Sequence, residues 1–154
     1  MAFERDYICK KCRYVFPSLT GVGFFFIHQG NTLVEGIKEG KYGKKWKEFL
    51  LTHPEGTVNC RSELLICKEC GAPKNDFNLT LYLPKGTEKE DSSRISQFVM
   101  EKREGDSVYA TFPHTCDVCG GECVISKVIP SIPMKCPRCH GEMKAAKDDS
   151  ICFD

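Results

Sequence analysis

The clearest hydrophobic pattern in the chain is a strict alternation from residue 77 to residue 83. Phe77, Leu79, Leu81 and Leu83 fall on one side, and Asn78, Thr80 and Tyr82 on the other. A period of two is typical of a strand with one buried face. Shorter runs rich in strand-forming residues predict further strands at residues 24–27, 62–66 and 108–112. Residues 95–102 fit either a short helix or a strand.

The spacing of apolar residues becomes helical between residues 32 and 52. Thr32 and Glu35 match a capping box, in which Thr32 caps a helix and Glu35 reaches back to it. A second helix is predicted by four apolar residues at helical spacing: Tyr42, Trp46, Phe49 and Leu50. Helices within a strand-rich chain indicate the α+β class, with a helical insertion at about 32–52.

The composition indicates the class of protein but does not identify a partner. The 154 residues are 41% hydrophobic and 28% charged, which is typical of a globular protein, and the formal net charge is +1. Neither half has the basic excess that announces a nucleic-acid partner. Residues 1–6 show no secretory signal, and the longest apolar stretch, 22–27, is too short to span a bilayer. We therefore expect a cytoplasmic protein with no membrane association.

Cysteine spacing is the strongest chemical signal in the chain. Eight of the eleven cysteines form four Cys-x-x-Cys pairs, each between strand-like segments. A reducing compartment keeps thiols free, so such pairs indicate metal ligands more than disulfides. Two intervening residues let one tight turn point both sulfurs at one ion, and two turns complete a tetrahedron. The predicted metal ligands are Cys9, Cys12, Cys67, Cys70, Cys116, Cys119, Cys136 and Cys139.

Pairing of consecutive turns is the simplest prediction. Sixteen residues separate Cys119 from Cys136, a spacing common in zinc sites, and the helical insertion would explain the 54 residues between Cys12 and Cys67. The polar segment after Leu83 is the best linker candidate. We therefore predict one module at residues 1–84, a linker at 85–93, and a second module with a polar tail at 94–154. A thioredoxin-like redox pair is the main alternative for any single Cys-x-x-Cys, but it is expected at a helix start after a strand.

These turns resemble the zinc knuckles of zinc-ribbon and rubredoxin-like proteins. The resemblance rests on Cys-x-x-Cys-Gly at Cys67–Gly71 and Cys116–Gly120 and on Cys-Pro-x-Cys at Cys136–Cys139. It implies a small antiparallel sheet around each metal, but no single function. Arg13 and His140 stand where the glycine after the second cysteine is common, so distorted turns are expected there.

The expected function is that of a zinc-binding adaptor or regulatory protein with two structural Zn²⁺ ions, contacting a protein or a nucleic acid. A rubredoxin-like electron carrier, with iron held by four cysteines, uses the same ligands and remains an alternative. A nucleic-acid binder is a second alternative, through a lysine-rich helix containing Lys38, Lys41, Lys44, Lys45 and Lys47. Closed four-cysteine sites argue against an enzyme unless one of them is open. The sequence leaves open the oligomeric state and the roles of Cys60, Cys123, Cys152 and His140.

Overall fold

The computed structural model describes residues 2–23, 26–85, 96–127 and 131–146, and the backbone of 151–153. The chain forms two compact units. Met1–Gly23, Ser62–Asp76 and Pro113–Asp154 make the first unit, and Phe24–Arg61 with Phe77–Phe112 make the second. This division differs from the predicted one, because the second unit consists of two insertions into the first. Apart from residue 85, the predicted linker lies outside the described residues.

Antiparallel strands form the first unit. They are β1 (Ala2–Cys9), β2 (Val15–Gly21), β4 (Ser62–Cys67), β5 (Pro73–Phe77), β9 (Cys123–Ile125), β10 (Met143–Ala145) and β11 (Ile151–Phe153). Strands β1 and β2 make a hairpin in which Ile8 pairs with Val15 and Ala2 with Gly21. The sheet has the order β10-β1-β2-β4-β5, with β11 beside β1 and β9 beside β4.

The C-terminal segment contains a strand rather than only a polar tail. In β11, Phe153 pairs with Ala2 and Ile151 with Glu4, along the first half of β1. The second half of β1 pairs with β10, where Cys9 lies opposite Met143. One strand near the chain start thus holds two strands from near its end, which brings the first and last Cys-x-x-Cys turns together.

The second unit has its own hydrophobic core. The Trp46 indole N–H is buried and donates to the Leu79 carbonyl, 2.8 Å away. The rings of Trp46 and Phe112 also pack nearly perpendicular to each other, with centroids 5.0 Å apart. The elements are α1 (Phe26–Lys38), α2 (Lys44–Thr52), β3 (Thr57–Asn59), β6 (Leu81–Leu83), β7 (Phe98–Val99) and β8 (Ser107–Ala110), with sheet order β7-β3-β6-β8. The helical insertion and the α+β class are therefore confirmed.

Helix α1 begins earlier than predicted. The strand prediction at 24–27 is wrong for Phe26 and Ile27, which lie in the helix; residues 24 and 25 lie outside the described part. Thr32 is inside α1 and does not cap it. The physical reason is that a buried stripe at helical spacing, through Gly30, Leu33 and Ile37, extends back past Thr32.

The predicted strand at 77–83 is broken in the middle. The Asn78 side-chain oxygen accepts hydrogen bonds from the Thr80 amide at 3.2 Å and the Thr80 hydroxyl at 2.6 Å. Leu79 between them has a φ of 60° and is completely buried. A local side-chain turn has therefore replaced the ladder, as Asn and Thr often do, and the chain passes from β5 to β6 at this turn.

Candidate metal centres

All four Cys-x-x-Cys segments adopt the same turn. The amide of each first cysteine donates to the carbonyl five residues later, at 2.8–3.0 Å. The amide four residues later donates back to the carbonyl of that cysteine, at 2.9–3.1 Å. In each turn the first cysteine is buried and the second is more exposed. We number these turns in chain order as knuckles 1 to 4, starting at Cys9, Cys67, Cys116 and Cys136.

The residue after each second cysteine has a left-handed backbone. Gly71 and Gly120 have φ values of 75° and 73°, and Arg13 and His140 have 65° and 61°. The expected distortion at Arg13 and His140 is therefore not observed, because both adopt the conformation that glycine favours. At Gly71 a side chain would also meet the Pro133 carbonyl, 2.8 Å from an added Cβ. Glycine is required there for space as well as for conformation.

The eight cysteines form two groups of four, but the predicted pairing of consecutive knuckles is wrong. The outer site joins knuckles 1 and 4, and the inner site joins knuckles 2 and 3. The pairing is nested because β10 lies against β1, whereas β9 pairs with β4 and places Cys123 opposite Cys67. Both sites belong to the first unit. The outer site is Cys9, Cys12, Cys136 and Cys139; the inner site is Cys67, Cys70, Cys116 and Cys119.

The sulfur atoms have the spacing that a tetrahedral ion needs. In the outer site, Cys9 and Cys139 are 3.4 Å apart, and Cys12 and Cys136 are 3.6 Å apart. The inner site has the same two distances, between Cys67 and Cys119 and between Cys70 and Cys116. Four sulfurs at about 2.3 Å from a central ion would lie about 3.8 Å apart. The donor set and its dimensions therefore fit a four-coordinate metal.

Backbone amides already favour thiolate charge at the first cysteine of knuckles 1 and 2. The Cys12 amide is 3.5 Å from the Cys9 sulfur and is the main cause that lowers the pKa of Cys9 to about 6. Burial opposes ionisation of Cys67, yet the Cys70 and Glu69 amides, both at 3.4 Å, bring its pKa down to about 7.

The second cysteines of these knuckles show the opposite shift. Burial and the neighbouring sulfurs of Cys119 and Cys116 raise the pKa of Cys70 to about 12. The Tyr14 amide lowers the pKa of Cys12, but burial and the sulfurs of Cys139 and Cys136 outweigh it and raise the pKa to about 11. Neighbouring negative charges repel each other unless a cation lies between them. A divalent ion among four sulfurs would remove this penalty.

At each site, a lysine–glutamate pair joins the two knuckles. The sequence analysis did not predict these pairs. Lys10 lies 3.2 Å from Glu142 at the outer site, and Lys68 lies 3.0 Å from Glu122 at the inner site. The amide of each lysine also donates to the carbonyl of its glutamate, at 3.0 and 2.9 Å. A sequence signal was present: knuckles 1 and 2 read Ile-Cys-Lys-x-Cys, and knuckles 3 and 4 read Cys-x-x-Cys-x-Gly-Glu.

At each site, a glycine two residues after the last cysteine of one knuckle lies against two of the four sulfurs. A Cβ added to Gly141 would lie 3.2 Å from the sulfurs of both Cys9 and Cys139. A Cβ added to Gly121 would lie 3.2 Å from those of Cys67 and Cys119. Any larger residue would therefore press on two of the four donors.

The cysteines outside the pairs have separate surroundings. Cys60 is 2% exposed and packs in the core of the second unit. Cys123 is 4% exposed beside the inner site, where burial first and then the nearby Cys116 raise the pKa of its thiol to about 12. The side chain of Cys152 lies outside the described part. Neither Cys60 nor Cys123 belongs to a group of four.

His114 is buried rather than exposed at the surface. Its Nδ1 lies 3.5 Å from an oxygen of Asp76, and its carbonyl accepts from the Cys123 amide. His140 is exposed at the left-handed position of knuckle 4. Neither histidine belongs to a group of four donors.

The predicted lysine-rich helix is not one helix: Lys38 ends α1, Lys41 lies in the connection, and α2 contains Lys44, Lys45 and Lys47. Trp46 is 4% exposed, so the ring is part of the core and not of the surface. Lys44 pairs with Glu48 at 3.5 Å, and Lys41 with Glu39 at 3.4 Å. Nucleic-acid binding through these lysines therefore stays a prediction, and the buried Trp46 ring offers no surface for base stacking.

Within the described residues, neither helix is long and apolar enough to cross a membrane. Comparison of the chain with family models, with curated proteins and with solved structures finds no match. The function must therefore be inferred from the two sites themselves.

Proposed function

We propose that the protein binds two structural Zn²⁺ ions, one in each four-cysteine site, and acts as an adaptor or regulatory protein. The observation that carries this proposal is the convergence of eight sulfurs into two groups, each with all four donors within 4.8 Å. Zn²⁺ favours four thiolates in a tetrahedron, and four protein ligands leave no open position for a substrate. Such a site organises a surface and does not catalyse a reaction.

The hydrophobic clusters of the first unit are small, which supports a structural role for the proposed ions. Among its described residues, the two hydrophobic clusters contain six and five buried residues, and both include cysteines of the two sites. Clusters this small provide little folding free energy of their own. Structural zinc supplies about 10–16 kcal/mol per site in small zinc domains, which would offset the missing core.

The proposed location is the cytoplasm. All ten cysteines with described side chains are free thiols, including the four pairs held close together. A reducing compartment preserves such thiols for metal binding. The partner is proposed to be a macromolecule contacted by the exposed surface that the ions hold in shape.

Elemental analysis of the purified protein tests the proposal most simply. We expect two zinc ions per chain and no absorption in the visible region, because Zn²⁺ has a filled d shell. Iron in the same ligands would give a coloured protein and would support the electron-carrier alternative. A folded protein with no bound metal, or with disulfides within the Cys-x-x-Cys pairs, would refute the proposal.

A further inference from the structure

The surface around the outer site is crowded with exposed cations. Five exposed lysines and arginines lie within residues 10–13 and 138–144 of knuckles 1 and 4, together with the carboxylate of Glu142. The Arg138 guanidinium lies over the ring of Tyr14, 4.8 Å from its centroid. The exposed cations are Lys10, Lys11, Arg13, Arg138 and Lys144, with His140 beside them.

These side chains come from opposite ends of the chain but lie close together. The Lys11 Cβ is 3.0 Å from the place of a Cβ added to Gly141, so knuckle 1 touches knuckle 4 there. Lys144 is the strand partner of Ile8, two residues before Lys10. The four ligand sulfurs lie within 4.8 Å of one another, and each of the five cations is within five residues of one. The cations therefore form one surface, which we call the outer basic surface.

The charged residues around the outer site can be compared with those at the equivalent positions of the inner site. Because the two sites share the same turns and strand pairings, each residue at one site has a counterpart at the other. Lys11 corresponds to Glu69, Arg13 to Gly71 and Arg138 to Val118. The remaining counterparts of the basic surface are Lys68 for Lys10, Gly120 for His140 and Val124 for Lys144, with acidic Asp117 in place of Pro137.

The simplest structural reason for the outer basic surface would be to neutralise the charge of the outer site with its metal bound. A divalent ion with four thiolates carries a net charge of −2, and nearby cations could serve only to neutralise it. The inner site would carry the same charge, yet lysines and carboxylates are balanced around it. Lys74 lies 3.3 Å from Asp117, and Lys135 packs beside Gly71 of knuckle 2. The three lysines are Lys68, Lys74 and Lys135, and the three carboxylates are those of Glu69, Asp117 and Glu122. Since the inner site has no such excess, neutralisation does not account for the cations at the outer site.

We propose that the outer basic surface binds the phosphate backbone of a nucleic acid. The proposal develops the proposed function, since the ion at the outer site would hold knuckles 1 and 4 together. Arginine matches phosphate through two parallel hydrogen bonds and stacks on flat rings, and Arg13 and Arg138 are both exposed. Contacts of this kind hold the backbone regardless of base sequence.

Fluorescence anisotropy with short labelled oligonucleotides tests the proposal on the full chain. Single-stranded RNA, single-stranded DNA and a DNA duplex are titrated at several salt concentrations, and zinc per chain is measured on the same samples. We expect binding to at least one of them, with affinity that falls steeply as salt rises. The oligonucleotide bound best identifies the kind of nucleic acid.

A double variant transplants inner-site residues into the outer site. Lys11→Glu with Arg138→Val is expected to raise Kd by about tenfold or more and to reduce the salt slope by about two. The matched control makes the same two substitutions at exposed positions of the second unit, Lys102→Glu with Arg103→Val, and is expected to leave Kd within about twofold. Lys144→Glu, on strand β10 and away from the turns, is a second variant and should raise Kd with both ions retained.

Three results would overturn the proposal. One is absence of binding by wild-type protein that carries two zinc ions, which would leave the metal assignment intact. Another is unchanged affinity in the Lys11→Glu/Arg138→Val and Lys144→Glu variants, or a loss only in the Lys102→Glu/Arg103→Val control. The third is competition by polyglutamate as strong as that by unlabelled oligonucleotide, which would indicate an acidic protein as partner. A protein without metal refutes the zinc proposal separately, by its zinc content.

Discussion

The outer and inner sites have matching turns, matching sulfur distances and a matching lysine–glutamate pair. They differ in the residues that the turns expose. Where the inner site has Glu69 and Val118, the outer site has Lys11 and Arg138. The ligands and hydrogen bonds needed to hold an ion are thus the same in both, while the exposed positions are free to differ. A partner is expected to distinguish the two sites by those positions alone.

The two sites also differ in how much of the chain they close. The outer site joins Cys9 to Cys139, 130 residues apart, whereas Cys67 and Cys119 of the inner site are 52 apart. Both insertions that form the second unit lie within the loop closed by the outer site. Because the entropy of loop closure grows only slowly with length, the longer loop is not a large obstacle to folding.

Removal of both ions should have the largest effect. EDTA with a thiol-reactive competitor should unfold the first unit, because about 10 kcal/mol or more per site would be lost. The second unit, whose core contains no ligand cysteine, should respond less. Far-UV circular dichroism follows the strands, and fluorescence of the buried Trp46 follows the second unit. An unchanged spectrum after removal would contradict structural zinc at both sites.

The buried residue beside each site offers the next comparison. Met143 and Cys123 occupy equivalent strand positions and are 5% and 4% exposed. Met143→Ala should cost about 2–5 kcal/mol by leaving a cavity, and Cys123→Ala about 1 kcal/mol, since less volume is removed. Urea denaturation measures both. Loss of an ion in Cys123→Ala would instead make Cys123 a ligand.

Substitutions at the residue with the left-handed backbone should change stability with opposite sign at the two sites. His140→Gly should stabilise knuckle 4 by about 1 kcal/mol, because glycine accepts a positive φ without strain. Gly120→Ala should destabilise knuckle 3 by about the same amount. Thermal melting of the zinc-loaded variants measures both. Equal shifts of the same sign would show that the two turns are not equivalent.

The lysine–glutamate pairs should have the smallest effect. Lys10→Met and Lys68→Met each break an exposed ion pair, and such pairs contribute about 0–1 kcal/mol. Because the geometry is the same at both sites, the two costs should agree and should decrease with salt. Melting temperatures in low and high salt test this. A large cost at one site only would mean that its lysine has a further role.

The sequence predicts which eight cysteines come together, but it predicts their pairing wrongly. Spacing within Cys-x-x-Cys is a local property, so the turns at all four knuckles could be predicted. Pairing depends on which strands meet, and β10 reaches β1 across nearly the whole chain. The two knuckle types, with lysine in one and glutamate in the other, exclude consecutive pairing if each lysine needs its glutamate. They do not choose between the two remaining arrangements.

Competing local interactions explain two further differences between the predicted and the observed structure. The apolar alternation at 77–83 favoured one strand, but Asn78 and Thr80 formed a side-chain turn that redirected the chain. Thr32 and Glu35 match the capping-box pattern, but the apolar stripe continues back through Gly30, so the helix begins earlier and Thr32 does not cap it. The near-zero net charge concealed the outer basic surface, because its cations are divided between residues 10–13 and 138–144.

Metal content of paired cysteine variants tests the nested arrangement most directly. Cys9→Ser with Cys136→Ser removes ligands from the outer site alone, and we expect one zinc ion per chain to remain. Cys9→Ser with Cys67→Ser removes a ligand from each site, and we expect neither ion to be held tightly. If the first variant held no zinc and the second held one ion, the knuckles would pair consecutively and the account given for both sites would be wrong.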